Sequence, residues 1–531
     1  APKFDADEWA ELFAKAGAKF AGPVAVHHDN FLMWDSEVSP WNSADVGPKR
    51  DISGELEKAI RKHGMKFMSS FHHGFTYRYY ENAYKYDGKE APMLYGPPRE
   101  ALPNSSRGSV EWKSIPHDFQ ELFLKKVQEF TRKYHPDLIY FDFGLGWQDK
   151  DIRLKIFSDF YNEAILNGQS QPTVAQKKRD GNQLYYSTLD LERGRMAFLT
   201  EYPWLTDDSP GSWFYHQKPK LQTPNTMIDR FVDIVSKNGC LLLNIGPNHE
   251  GVIPLEYKVI LEEYGKWLKT NGEGIYNTRP WLTYGEGTTT NFSGHNAATN
   301  SNAKNKGKYT STDIRYTESK DKKTLFAFVL DYPENKNVKL KSLRVLNESK
   351  NSSVELMGYG SVPYKVLNDG SVEINISEVD KPDINYSLGF KLRGFETSWQ
   401  PFGHFLLPNA THVPFRDFEI EGTKWRIPLH LKHGEKGYDF AFVTKTNLPE
   451  TIKITVKLID EKSGEQLENT NTLAYKTGNY YVFGEIAKIN RKGEYTLIIE
   501  SLNKNSLPEI TELVATIKRD QTIHQLGDLI D

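Results

Sequence analysis

The first 281 residues alternate between two patterns of hydrophobic and polar positions. In DADEWAELFAKAGAKF, the residues Trp9, Leu12 and Phe13 recur at helical spacing, and Gly17 follows as a stop signal. The next run, FAGPVAVHH, is short and apolar until its polar end, which is typical of a buried strand. The pattern therefore predicts a helix followed by a strand.

The same unit recurs along this part of the chain. Helical patterns in GELEKAIRKHG, HDFQELFLKKVQEFTRKYHP and TMIDRFVDIVSKNG lead into the strand-like runs MKFMSSFHH, DLIYFDFG and CLLLNIGP. Helices that alternate with short, doubly buried strands indicate a parallel sheet. An open doubly wound sheet shares this pattern, but no GxGxxG or phosphate loop follows any of these runs. We therefore predict an α/β fold with a (β/α)₈-like TIM barrel over residues 1–281.

The pattern changes after Trp281. The polar stretch TTTNFSGHNAATNSNAKNKGKYTSTDIRY is poor in large aliphatic residues, and short strands such as KTLFAFVLDYP, SVEINIS and YSLGFKLRG follow it. Short strands separated by turn residues are typical of a β-sandwich. We predict a β-sandwich domain over residues 282–395. A second β-rich accessory domain is predicted over residues 396–531, from runs such as YDFAFVTK and TIKITVKLID.

Several predicted barrel strands end in residues that a core would not contain. His27 and His28 end one strand, His72 and His73 end another, and Asp142 ends the run LIYFDF. The carboxyl ends of barrel strands form the active face of this fold. An aspartate at the end of an apolar strand is costly unless it is paired or functional, so Asp142 is the strongest catalytic candidate. Its structural alternative is a loop cap.

A second group of acids lies in STLDLERGRMAFLTEYPWLTDDSPGSWFY. Most of these acids must be solvated or structural, but one of them would suffice as the second carboxylate of a two-carboxylate hydrolysis. The group comprises Asp190, Glu192, Glu201, Asp207 and Asp208.

Composition excludes several classes of function. The formal charge is −3, with 67 Lys+Arg against 70 Asp+Glu and no basic block, so we expect no nucleic-acid partner. Cys240 is the sole cysteine, which excludes a disulfide framework. No apolar run is long enough for a membrane span, and no signal peptide is visible. Because the chain begins at Ala1, we expect an upstream segment to have been removed.

The histidines also raise the question of a catalytic metal. His27, His28, His72 and His73 could be assembled with Asp142 into a hydrolase metal site. Neighbouring residues on a strand point to opposite sides, however, so His27 and His28 could share an ion only if the strand has already ended. The HxH spacing is absent. We therefore predict neither a metal nor a cofactor.

Several motifs, taken in order, resemble those of the glycoside hydrolase family 29 α-L-fucosidases. They are FDADEWAELFAKAGAKF with HHDNFLMWDS, GPKRDISGELEKAIRKHGMKF, PDLIYFDF, KNGCLLLNIGPNHEGVIP and GIYNTRPW. The resemblance covers most of residues 5–281 and implies the barrel fold. It also implies that Asp142 is the nucleophile, that His27 and His28 bind fucose hydroxyls, and that Trp41 lies near the sugar.

The acid/base is less directly matched, because the family varies at this position. Glu192 lies twelve residues before Trp204, in a register that resembles the family's acid/base. Some members carry an acid directly after this tryptophan, where this chain has Leu205, so Glu201 is the second choice. His72, His73 and Trp213 are further substrate-binding candidates.

Two features depart from the family pattern. The family's upstream strand, which ends in a His-Trp-Gly motif, has no counterpart, so we expect a barrel that lacks its first strand. The family's arginine after the middle strand is not matched cleanly; Lys177, Lys178 and Arg179 are the residues available.

The resemblance implies a retaining exo-α-L-fucosidase that removes terminal fucosyl residues from a fucosylated glycan or fucan by double displacement. A non-catalytic fucose- or fucan-binding protein on a degenerate barrel is the alternative. Flat aromatic side chains, 13% of the residues, suit sugar faces as well as a core. We expect a secreted or periplasmic location. Formation of a homo-oligomer through the sandwich domains is a further alternative.

Overall fold

The computed structural model describes most of the chain. The described residues are 2–79, 115–177, 186–196, 199, 203–287, 308–380 and 386–399, together with the strands and some turns between 404 and 517. They form two compact units. Unit 1 comprises residues 1–193, 204–224 and 242–269, and unit 2 comprises 194–203, 225–241 and 270–531.

Four of the seven helices in the described residues follow the predicted apolar spacing. Asp5 caps the first one, because its carboxylate accepts hydrogen bonds from the backbone N–H groups of Asp7 and Glu8. No helix within the described residues is long and apolar enough to cross a membrane. The helices are α1 Ala6–Lys15, α2 Ile52–Lys62, α3 Thr76–Tyr79, α4 His117–Tyr134, α5 Lys150–Leu166, α6 Pro224–Ser236 and α7 Leu255–Asn271.

The first sheet is the predicted parallel one. Its strands are β1 Phe20–Ala21, β2 Val24–Val26, β3 Lys66–Phe71, β4 Leu138–Phe141, β5 Thr173–Lys177, β6 Thr188–Asp190, β7 Trp204–Asp208 and β8 Gly239–Leu243. Their order is β1-β3-β4-β5-β6-β7-β8, and β2 also pairs with β3. Pairing is parallel from β1 through to β7. All carboxyl ends of these paired strands therefore lie at one edge.

Aromatic packing fixes the strands that carry the site in unit 1. Phe71 of β3 packs its ring 5.3 Å from that of Phe130 on α4 and 5.7 Å from that of Phe141 on β4. The backbone beyond the strands continues the pairing: His72 N–H donates to the carbonyl of Val26. Asp142 N–H donates to the carbonyl of Phe71. His72 and Asp142 are thus held side by side by a rigid core.

Unit 2 contains antiparallel sheets. One sheet has the order β14-β13-β17-β11-β10-β9, a second has β12-β16-β15, and both contribute to one apolar cluster, as in a sandwich. The strands are β9 Thr278–Glu286, β10 Ile314–Ser319, β11 Thr324–Val329, β12 Asn337–Leu340, β13 Leu343–Leu356, β14 Gly360–Ser361, β15 Tyr364–Val366, β16 Val372–Asn375 and β17 Leu388–Trp399.

A further sheet occupies the last part of unit 2, as the β-rich pattern predicted. Its order is β18-β21-β26-β23-β24-β25-β22-β27-β19, with β20 on β21. The strands are β18 His404–Leu406, β19 Thr411–Pro414, β20 Glu419–Glu421, β21 Lys424–Leu431, β22 Tyr438–Thr444, β23 Thr451–Asp460, β24 Gln466–Thr477, β25 Tyr480–Glu485, β26 Gly493–Ser501 and β27 Ile510–Ile517.

The predicted domain borders fall inside strands. Strand β9 spans residue 281, and β17 spans residue 395. The division into three domains stays a prediction.

Buried charges hold α6 against the sandwich within unit 2. The Asp233 carboxylate lies 2.6 Å from Nε of Arg315 and 2.9 Å from Nζ of Lys237. Burial works to raise the pKa of Asp233, but Lys237 and Arg315 outweigh it and lower the pKa to about 2. Asp233 is therefore ionised and paired, which is the condition under which a buried charge is tolerated.

The pKa of Asp229, one turn earlier on α6, is shifted in the opposite direction. Burial raises its pKa to about 7, opposed by a hydrogen bond from Ser387 Oγ to Oδ1 at 2.6 Å. The folded pKa lies above the unfolded value near 3.8, so the folded state binds the extra proton between these values. Binding of this proton stabilises the folded state. The stabilisation is fully present below pH 3.8 and is lost as pH rises through 7.

We therefore expect Asp229→Asn to raise the melting temperature by a few degrees at pH 8 and by less at pH 5. The amide oxygen can still accept from Ser387, and the variant no longer loses a proton as pH rises. Calorimetric unfolding of both proteins at the two pH values measures the difference. The exposed Asp380→Asn is the control, and equal gains at both pH values would contradict the explanation.

Candidate active site

A buried lysine gathers four carboxylates at the carboxyl edge of the parallel sheet. Nζ of Lys177, the last residue of β5, lies 2.7 Å from Oδ1 of Asp142, 3.0 Å from Oδ2 of Asp207 and 3.1 Å from Oε2 of Glu192. Oδ2 of Asp190 is 3.8 Å away. These acids belong to β6, β7 and the residues that follow β4 and β6, so parallel pairing brings them together.

Asp142 is held in its ionised form. Besides Lys177, Nδ1 of His72 lies 2.9 Å from its Oδ2, and the hydroxyl of Tyr140 donates to Oδ1 at 3.3 Å. Burial works to raise the pKa of Asp142, but the Lys177 ammonium and the His72 ring outweigh it and hold the pKa well below its ordinary value. The side chain retains 22% exposure, so a substrate can reach an anionic oxygen.

Burial raises the pKa of two further acids in the cluster around Lys177. Burial raises the pKa of Asp190, and the neighbouring Asp207 raises it further. Burial also raises the pKa of Asp207, against the opposing effect of Lys177. The Asp207 N–H and the Tyr140 hydroxyl donate to Asp190 at 2.9 and 3.0 Å. One lysine among four carboxylates leaves surplus negative charge, so the cluster retains a proton.

Glu192 is the most accessible of the acids around Asp142. Its side chain is 21% exposed, against 0% for Asp190 and 8% for Asp207. The contacting oxygens of Glu192 and Asp142 both lie within 3.1 Å of Nζ of Lys177, so they are less than about 6 Å apart. Retaining glycosidases place their two carboxyl groups ~5–5.5 Å apart. Glu201 lies outside the described residues.

Three histidine rings form a cluster next to Asp142. Ring centroids lie 4.4 Å apart for His27 and His28, 4.3 Å for His27 and His72, and 4.1 Å for His28 and His72. Burial first, and then the neighbouring His72, lower the pKa of His27 to about 4 and that of His28 to about 3. Both rings are therefore neutral at pH 7, and each can donate and accept one hydrogen bond.

His73 is placed apart from this cluster. Its ring stacks on Phe123 of α4 at 4.3 Å, and the residue is 1% exposed. The burial of His73 against Phe123 does not favour its assignment to sugar binding, which stays a prediction. The sequence shows two adjacent histidines there but not which of them faces the core.

The two tryptophan candidates lie in loops of unit 1. Nε1 of Trp41 donates to the carbonyl of Asp29, the residue after His28, at 3.2 Å. The Arg193 guanidinium lies over the ring of Trp213, 4.2 Å from its centroid. The structure also places Phe214 close to the site: it is 64% exposed, and its ring lies 5.9 Å from His27.

Two glycines set the distance between the loops that carry His72 and Asp142. Gly144 has φ +84°, and a methyl group on it would lie 2.7 Å from the backbone carbon of Gly74. A side chain at either position would force the two loops apart. The contact between His72 and Asp142 therefore depends on this close backbone approach.

We expect Gly144→Ala to lose more stability than Gly168→Ala and to lower kcat as well. Gly168 also has a positive φ, but a methyl group there meets nothing within 4 Å. The conformational cost of about 1–2 kcal/mol is common to both sites, and the clash adds to it at Gly144 alone. Denaturant unfolding and steady-state kinetics of both variants measure the difference. Equal losses would contradict the proposed loop packing.

Local sequence signals mark some of the site residues that the assignment left out. Tyr140 stands two positions before Asp142, so it shares its face of the strand. Lys177 was one of three candidates for the family's arginine. Asp190 and Asp207 stood in the acid group without a role, and only the sheet order brings them to Lys177.

A parallel helix-connected sheet with an ionised aspartate and a nearby accessible glutamate at its carboxyl edge is typical of glycoside hydrolases. Within this class the chain belongs to the alpha-L-fucosidase family. The family model for alpha-L-fucosidase matches residues 1–273, and the model for the alpha-L-fucosidase C-terminal domain matches residues 307–393. The resemblance seen in the sequence motifs is thereby confirmed.

Individual relatives agree with this membership. The tissue alpha-L-fucosidase of Rattus norvegicus is 32% identical to this chain. The matched region covers 54% of this chain and 59% of that protein. The corresponding Mus musculus protein is 30% identical over 67% of this chain and 71% of its own length. The solved alpha-fucosidase of Thermotoga maritima is similar with a TM-score of 0.55 and 26% identity, covering 74% of this chain and 79% of that one.

Proposed function

We propose that the chain is a retaining exo-α-L-fucosidase that hydrolyses terminal α-L-fucosyl residues of a fucosylated oligo- or polysaccharide. The observation that carries the proposal is the arrangement of Asp142 and Glu192 around one buried lysine. Asp142 is anionic and partly exposed, and Glu192 is accessible and less than about 6 Å from it. The solved Thermotoga maritima alpha-fucosidase complexes with fucose and with a mechanism-based inhibitor support the substrate class.

In the first step an Asp142 oxygen attacks C1 of the fucosyl unit. The bond from C1 to the leaving oxygen breaks, and Glu192 gives its proton to that oxygen. Lys177 stabilises the anionic nucleophile, because its Nζ lies 2.7 Å from Oδ1 of Asp142.

In the second step Glu192 acts as the base. It takes a proton from water as the water oxygen bonds to C1 and the C1–Asp142 bond breaks. Two inversions at C1 give net retention, and the site returns to its starting protonation state. Lys177 again stabilises Asp142 as the carboxylate leaves.

Neutral histidines suit the sugar hydroxyls in this proposal. His27 can donate and accept, whereas His28, whose Nδ1–H faces the carbonyl of His72, presents Nε2 as an acceptor for a sugar hydroxyl. Phe214 beside His27, with Trp41 and Trp213, would supply apolar walls for the ring and its methyl group.

Hydrolysis of an aryl α-L-fucoside followed by NMR tests the function. We expect release of the aryl alcohol with α-L-fucose as the first anomer formed. The alternative, a non-catalytic fucose- or fucan-binding protein, predicts retention of a fucosylated glycan without fucose release. β-L-fucose as the first product would exclude the retaining mechanism.

We expect Glu192→Gln to lower kcat/KM by ~10²–10⁴ for a fucoside with a poor leaving group and much less for an aryl fucoside with an acidic leaving group. An acidic leaving group needs little protonation, so loss of the general acid affects it less. Comparison of the two substrates with one variant measures this dependence. Equal losses on both substrates would point to another residue, with Glu201 as the next choice.

The proposal also covers the metabolic role, the location, the domain division and the oligomeric state of the enzyme. We propose a role in carbohydrate metabolism and a secreted or periplasmic location, which the similarity to the plasma alpha-L-fucosidase of Homo sapiens supports for secretion. The three-domain division and a homo-oligomer formed through the sandwich domains belong to the same proposal.

A further inference from the structure

The three clustered histidines have the arrangement of a ligand set for a transition-metal ion. His27, His28 and His72 each offer one ring nitrogen, and these nitrogens all lie within 4.8 Å of one another. Two nitrogens bound to one tetrahedral zinc ion at ~2.0–2.1 Å stand about 3.4 Å apart. Small rotations of the rings, moving each nitrogen by about 1 Å, would therefore complete the set.

The strand geometry permits this arrangement. Adjacent residues within a strand cannot share an ion, but β2 ends at Val26, one residue before His27. The Asn30 N–H donates to the carbonyl of His27 at 3.0 Å, which marks a turn. Because the chain has left the strand, the rings of His27 and His28 lie on the same side, with centroids 4.4 Å apart.

Two of the rings also have the outer contacts that metal-bound histidines make. Nδ1 of His28 lies 2.9 Å from the carbonyl oxygen of His72, and Nδ1 of His72 lies 2.9 Å from the Asp142 carboxylate. Metal-ligating histidines almost always donate the second ring N–H to a carbonyl or carboxylate, which orients the ring and raises its basicity. With Nδ1 of His28 facing this carbonyl and Nδ1 of His72 facing Asp142, Nε2 is left as the ligand nitrogen of these two rings.

We propose that His27, His28 and His72 bind one first-row transition-metal ion, such as Zn²⁺, and that the bound ion blocks the sugar site. Three imidazole nitrogens form a borderline ligand set that favours Zn²⁺ or Cu²⁺ over Mg²⁺. The Asp142 carboxylate lies 2.9 Å from Nδ1 of His72 and so places negative charge near the bound ion. Metal binding does not depend on the proposed hydrolytic function, whereas inhibition by the metal rests on it.

The experiment is isothermal titration of Zn²⁺ into the full chain in a non-chelating buffer, repeated with His27→Ala and His72→Gln. We expect one ion per chain with a Kd below about 0.1 mM, and a loss of affinity of at least tenfold in either variant. Mg²⁺ should give no comparable binding. His117→Gln is the matched control, because His117 is an exposed histidine with Glu121 3.7 Å and Asp149 3.9 Å away.

Two readouts separate metal binding from catalysis. Titration of the Asp142→Asn variant should still show Zn²⁺ binding, whether or not the chain hydrolyses fucosides. In the active protein, Zn²⁺ should raise KM for an aryl fucoside and leave kcat unchanged, because sugar and ion use the same rings. Unchanged affinity in both histidine variants, or loss of binding in His117→Gln alone, would overturn the site.

Discussion

Replacing Asp142 by asparagine is expected to lower kcat/KM for an aryl α-L-fucoside by ~10³–10⁵-fold, with little change in the fold. The amide cannot form the covalent intermediate, and it is not the anion that Lys177 and His72 stabilise. Steady-state kinetics measure the loss, and circular dichroism checks that the variant is folded. Turnover close to that of the unaltered protein would exclude Asp142 as the nucleophile.

The variant Asp142→Gly provides the matched control for that result. With the side chain removed, azide can attack C1 from the vacated side while Glu192 protonates the leaving oxygen. We expect azide to restore release of the aryl alcohol and to yield β-L-fucosyl azide, the product of a single inversion. Azide should have no such effect on Lys177→Met, in which the Asp142 carboxyl group is still present.

Replacing Lys177 by methionine is expected to move the acidic limb of the pH–rate profile to higher pH and to lower kcat by about 10²-fold or more. Lys177 is the main group that lowers the pKa of Asp142 against the effect of burial. Without the lysine that pKa rises, so a smaller fraction of Asp142 is ionised at acidic pH. The profile of kcat/KM between pH 4 and pH 9 measures the shift.

The same variant should be less stable, since four neighbouring carboxylates lose their cation. Removing one partner of a buried ion pair typically costs about 3–5 kcal/mol. Lys177→Arg keeps the charge and should retain the position of the acidic limb. If Lys177→Met does not fold, the double variant with Asp207→Asn also removes the buried carboxyl group 3.0 Å from Nζ of Lys177 and allows the profile to be measured. An acidic limb that stays in place would contradict the role of Lys177.

The helices and strands that the sequence predicted are those with a clean pattern. α1, α2, α4 and α6 each show one apolar stripe, and β3 and β4 are short apolar runs after a helix stop. Helix α5 was not predicted, because its apolar residues are spread around the axis: Leu154, Ile165 and Leu166 are exposed. β5 and β6 are short and contain polar residues, so they resemble loop in the sequence.

The candidate site was predicted only where local sequence marks it. Asp142, His27 and His72 follow buried strands directly, and that position alone suggests function. The contacts of Lys177 depend on which strands are neighbours in the sheet, which no local pattern contains. The burial of His73 depends on Phe123, fifty positions later in the chain, and so could not be deduced from two adjacent histidines.

The most direct test of the central claim is to trap the covalent intermediate. A 2-deoxy-2-fluoro-L-fucosyl fluoride should inactivate the protein, because the 2-fluorine slows both steps while the good fluoride leaving group keeps the first step faster than the second. Proteolysis and mass spectrometry should then find the fluorofucosyl group on a single peptide, attached to Asp142. Attachment to Glu192, Asp207 or another residue, or rapid hydrolysis of fucosides with no labelled peptide, would contradict the account.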